Sequence, residues 1–148
     1  MNIDKEISAL ALELVKAQAK GPKASEYRSF CESFPALLRS AGLAQTVAFL
    51  KAKGGHPHGA VYEHLERQFQ RIGLLEEKAS LLETLIEPKK TPMAQYRLCS
   101  QMAIRVAQWH KRLAQAMVEK KKCTRASVSS RGPCRGRTGD CYLINSSR

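Results

Sequence analysis

The chain has 148 residues, 43% of them hydrophobic and 6% aromatic, which allows one helix-rich domain plus a tail but not two ordinary domains. Its formal charge of +12 is local: residues 1 to 87 hold 11 basic and 11 acidic side chains, whereas residues 88 to 148 hold 14 and 2. No apolar run approaches the ~20 residues of a membrane span, the N-terminus lacks the basic-then-apolar order of a signal peptide, and five irregularly spaced cysteines argue against a disulfide framework, so a reduced, cytoplasmic protein with no membrane partner is expected.

Ile3, Ile7, Leu10, Ala11, Leu14 and Val15 recur at steps of three and four and predict a first helix, which Gly21-Pro22 ends. A second carries Tyr27, Phe30, Cys31, Phe34, Leu37, Leu38 and Ala41, with a kink or a new first turn expected at Pro35. Gly42 closes it. Leu43, Val47, Phe49 and Leu50 form a short third helix that stops at Gly54-Gly55. The loop to Gly59, with His56, Pro57 and His58, is read as exposed, and its histidines, together with His64, as solvated. A fourth helix buries Val61, Tyr62, Leu65, Phe69 and Ile72, and a fifth runs through Ala79, Leu82, Leu85 and Ile86 to Pro88. Thr91 is the expected N-cap of the last helix, with Pro92 at its first position.

That last helix is expected to run about 28 residues, from Pro92 to near Glu119. Its core stripe reads Cys99, Ala103, Val106, His110, Leu113 and Met117, with Trp109 on the flank. Another face aligns Arg97, Gln101, Arg105, Gln108, Arg112 and Gln115, and contains no acid. Arginine matches phosphate through a planar fork, and glutamine bonds sugar hydroxyls or base edges, so this stripe suits RNA; a solvated basic face is the competing reading. A helix of this length fits a helix-turn-helix DNA reader badly.

Nothing points to catalysis. There is no G-x-S-x-G elbow, no phosphate-cradling glycine loop and no H-E-x-x-H pair, and Glu63, Glu66, Glu76 and Glu77 read as surface ion-pairing acids. Cys123, Cys134 and Cys141 with Cys99 or His110 form no short Cys-x-x-Cys knuckle, so neither metal nor cofactor is expected.

Two stretches carry a family resemblance, Ser33 to Lys53 and Tyr96 to Ala114. With Tyr27 ahead of them they form an ordered pattern: Tyr27, Pro35, Gly42-Leu43, Phe49-Leu50, Lys53, Tyr96 and a late Trp109 to Arg112. The pattern resembles the small helical subunit of the type III-B CRISPR effector, the Cmr complex, over residues 1 to 119. The resemblance implies a non-catalytic module that stacks in several copies beside backbone subunits, along guide RNA and target RNA, in antiviral defence. The resemblance implies that the basic face lies along those strands, and with the stripe it makes Lys53, Arg97, Gln101, Arg105, Gln108, Lys111 and Arg112 the candidate RNA-binding residues. Tyr27, Pro35, Gly42, Leu43, Phe49, Tyr96 and Trp109 would be structural. The alternative is a helical protein–protein adaptor that never meets nucleic acid.

The expected architecture is therefore all-α: a compact bundle of about five to six helices over residues 1–119, with a long C-terminal helix, and a disordered basic tail over 120–148. The run Arg131 to Asp140 resembles an extension made by reading past a natural stop; a basic arm wrapping RNA is the other reading.

Overall fold

Helix-period spacing of apolar side chains resolves into six α-helices in the computed structural model, which describes residues 2–87 and 89–119. α1 (Ile3–Ala19), α2 (Ala24–Ala41) and α3 (Leu43–Lys53) lead to a single wide turn at Gly55–Gly59. α4 (Ala60–Arg71), the short α5 (Leu81–Ile86) and the long α6 (Met93–Met117) complete the chain order. No strand occurs among the described residues, and the all-α bundle with a long last helix is the observed fold. The expectation for residues 120–148 lies outside the described residues.

The core sits where α6 lies across α2 and α1, the two most extensive helix pairings. Ala103, Ala107 and Ala114 of α6 are fully buried there, and their small side chains let the helix axes approach closely. Ile7 and Val15 of α1, Phe34 of α2, Leu50 of α3 and Phe69 of α4 fill the interior at 1% exposure or less. Each such side chain contributes roughly 1.5–3 kcal/mol by leaving water.

Four local expectations are corrected. α2 runs unbroken through Pro35, so no new helix begins there. Proline removes one backbone bond at a cost of about 3 kcal/mol, and the buried run of Cys31, Phe34, Pro35 and Leu38 offsets it by packing. α5 starts at Leu81, not at Ala79, because Ser80 is extended and the Leu81 N–H donates to Glu66 Oε1 at 3.2 Å. Glu66 is thus a backbone acceptor between helices, not a surface ion-pairing acid. α6 starts at Met93, with Pro92 extended before it, and Thr91 is not its N-cap: the Thr91 hydroxyl turns back and donates to the Thr84 carbonyl at 2.6 Å.

The fourth correction concerns the histidines. His64 is 5% exposed on the inner face of α4, while His56 and His58 are half-buried. His56 Nε2 lies 3.0 Å from Gln18 Oε1, and the His58 ring packs 4.6 Å from Phe30 and 5.4 Å from Phe49, centroid to centroid. The glycines that suggest an open loop instead let this segment fold back onto α2 and α3.

Candidate nucleic-acid interface

α6 has four basic residues and no acid between Met93 and Met117. Arg97, Gln101, Arg105, Arg112 and Gln115 are exposed along one face, and Gln108 and Lys111 are half-buried beside them. At 1.5 Å rise per residue the stripe from Arg97 to Gln115 extends about 27 Å. The structure therefore brings six of the seven candidate RNA-binding residues onto one helix surface. Lys53 is the exception: it is exposed in the last turn of α3, its ammonium 6.0 Å from the centroid of the Phe49 ring.

Two shallow grooves flank the C-terminal half of the stripe and share Gln108 and Arg112. The first, about 340 Å³, lies toward α1 and is lined by Asp4, Arg105, Gln108, Trp109 and Arg112. Arg105 Nη1 is 3.6 Å from Asp4 Oδ1, with both side chains more than half exposed. An acid thus does reach the stripe, from a residue far away in sequence, although an exposed pair of this length is worth little. The second groove, about 280 Å³, lies toward α2 and is lined by Pro35, Arg39, Gln108, Lys111, Arg112 and Gln115. Arg39 is absent from the sequence-derived set: it lies on a different helix from the stripe, and only the packing of α2 on α6 brings it to the others.

The opposite face of α6 is fixed by a buried polar cluster. The Tyr27 hydroxyl lies 3.0 Å from His110 Nδ1 and 3.1 Å from His64 Nδ1, joining α2, α6 and α4. The two imidazoles stack, with centroids 5.3 Å apart and planes 19° from parallel. Burial, then the nearby Arg67, lowers His64 to a pKa of about 4, and burial followed by the neighbouring His64 lowers His110 to about 3. Both rings are neutral at pH 7. His110 Nε2 is buried without a partner among the described residues, and an orphaned lone pair costs less than an orphaned N–H. The proton of His110 therefore sits on Nδ1 and is donated to the Tyr27 oxygen, while the Tyr27 O–H is donated to His64 Nδ1. Burial likewise pushes the neighbouring Cys31 thiol up to about 12, which keeps it protonated and inert.

The motif residues divide by role. Tyr27, Pro35 and Leu43 are buried, and Gly42 joins α2 to α3 at φ 82°. The Tyr96 hydroxyl accepts the Ala44 N–H at 3.2 Å and ties the start of α6 to α3. Trp109 is half-buried and packs against the core. Phe49 remains 39% exposed. Of the residues considered as zinc ligands, Cys99 is buried and His110 is engaged with Tyr27, while Cys123, Cys134 and Cys141 lie outside the described residues.

Residues 3–117, from the first residue of α1 to the last of α6, match the family described as CRISPR-associated protein (Cas_Cmr5). A protein of Thermus thermophilus named CRISPR system Cmr subunit Cmr5 is 33% identical over 109 residues, covering 74% of this chain and 90% of that protein. The crystal structure of a CRISPR-associated Cmr5 family protein from Thermus thermophilus superimposes with a TM-score of 0.67 at 28% identity, over 80% of this chain and 99% of that one.

Proposed function

Because the chain belongs to the Cas_Cmr5 family of CRISPR-associated proteins, we propose that it is the small, non-catalytic subunit of a type III-B CRISPR effector, stacking in several copies beside the backbone subunits along guide and target RNA. The observation that carries the RNA part of this reading is the largely exposed Arg/Gln stripe of α6, a helix that carries no acid of its own. Cations along a helix displace the counterions of a phosphate backbone, and binding of this kind is indifferent to base sequence. Guide pairing supplies the sequence specificity, so the protein need only hold and cover a strand. Glutamines between the arginines offer both donors and acceptors to ribose 2′-hydroxyls, which arginine alone does not.

The test is co-purification with guide RNA and the other subunits, comparing the parent chain with Arg105→Glu/Arg112→Glu. The double reversal is expected to reduce RNA retention at least tenfold at moderate salt and to flatten its salt dependence. Unchanged retention with unchanged salt dependence makes the stripe a plain solvated surface.

A second reading, a protein–protein adaptor without nucleic-acid contact, is favoured by the exposed apolar side chains of Met93 (68%) and Ile86 (58%) at the α5–α6 end. It predicts full assembly of the subunits with no RNA crosslink to α6. The two readings share the apolar contacts and part company only at the stripe.

A further inference from the structure

We propose that the seam between α2 and α6 is a phosphate site, completed by Arg39, that grips a phosphodiester of a single RNA strand. This deepens, and rests on, the RNA reading of the α6 stripe. The groove there is lined by Pro35, Arg39, Gln108, Lys111, Arg112 and Gln115. Its polar lining is three cations and two carboxamides, with no acid.

The neighbouring groove supplies the contrast. There Asp4 stands 3.6 Å from Arg105 and partly neutralises it within the folded chain. The ion pairs among the described residues are Arg28–Glu32, Lys90–Glu87 and Arg105–Asp4, and none of them involves Arg39, Lys111 or Arg112. Cations converging from two helices without an acid leave an anion as the natural occupant.

Geometry adds the reason for Arg39. A single helix face can present cations to only one side of a phosphate. Arg39, in the last turn of α2, approaches from across the groove, so the two non-bridging oxygens can be met by guanidinium forks on Arg39 and Arg112. Lys111 adds a point charge. Gln108 and Gln115 border the site, within the same lining, and suit the adjoining riboses. Pro35 closes one wall with a rigid ring that carries no N–H.

The measurement is affinity of the full chain for a uridine-rich oligoribonucleotide across a salt series, with circular dichroism to check folding. Arg39→Gln is expected to weaken binding several-fold and to reduce the slope of log K against log salt by about 0.7, one cation's worth for a single strand. Lys78→Gln, which removes the same charge from an exposed position between α4 and α5, is expected to leave the slope unchanged. Arg39→Lys keeps the charge without the fork: the slope stays and affinity falls. If Arg39→Gln matches the parent slope while Arg105→Glu/Arg112→Glu lowers it, the phosphate site is overturned and the stripe reading survives. If the parent chain binds no RNA, both are overturned together. Equal losses for Arg39→Gln and Lys78→Gln reduce the site to general charge and overturn it as well.

Discussion

Tyr27 has one hydroxyl proton to give and oxygen lone pairs to receive with, and its two histidine partners use both capacities. A second proton on His64 Nδ1 would break its bond from Tyr27, and one on His110 Nε2 would bury a charge with an unpaired N–H. Stability therefore depends on pH with a definite sign. An unfolded histidine titrates near 6.5, while His64 and His110 in the fold stay neutral down to about 4 and about 3. Above pH 6.5 neither state binds the extra proton and stability is level. As pH falls below 6.5 the unfolded chain takes up protons that the native one refuses. The urea midpoint is thus expected to hold between pH 8 and 7 and to drop clearly by pH 5, each buried ring contributing up to roughly 1.4 kcal/mol per pH unit. A midpoint that does not move over that interval contradicts two neutral buried imidazoles. Half of this cluster is legible in the sequence. His110 falls on the apolar register of its helix, which places it in the core. His64 shares a face with Val61, Leu65 and Gln68, all buried, but its proximity to the Gly-His-Pro-His-Gly run makes it look like part of a solvated loop.

At the scale of elements, the join between α2 and α3 depends on one backbone conformation. Gly42 sits at φ 82° and ψ 166°, a region open essentially to glycine alone. A Cβ added there would meet nothing within 4 Å, so the cost of Gly42→Ala is conformational and not steric. The substitution is expected to lower unfolding free energy by about 1–3 kcal/mol with native secondary structure retained, as read by urea denaturation and circular dichroism. A neutral result would mean that the α2–α3 corner does not need this conformation. Helix order and type are readable because apolar spacing is set within each segment, from Ile3 to Val15 and from Cys99 to Val106. Boundaries decided by contacts between segments are not. Thr91 looks like a cap in sequence, yet its hydroxyl has a better-placed partner at Thr84. Arg39 and Asp4 become visible beside the candidate stripe only when α2 and α1 are laid against α6, since no pattern along one helix encodes a neighbour on another.

For the whole molecule, the family match ends at residue 117, where α6 ends, although residues 120 to 148 hold 8 basic and 1 acidic side chains. We propose that residues 1–119 are the folding unit. A chain ending at Glu119 is expected to unfold in one cooperative transition within about 2 °C of the full-length midpoint and to keep the RNA response to Arg105→Glu/Arg112→Glu. Loss of that response on truncation would move the interface into the tail. No described helix is long and apolar enough to cross a membrane. The long helix itself is fastened at three places. Tyr96 ties its start to α3, His110 ties its middle to Tyr27, and Arg28 donates to the Val118 carbonyl just past its end. A rod held at three points cannot roll about its own axis. Helix rise spaces Arg97, Arg105 and Arg112 at intervals of about 12 and 10.5 Å, and on the proposed interface the fixed roll would hold that gauge toward a strand. On the proposed interface, the hidden hydroxyl between two histidines would thereby help decide which way those cations face.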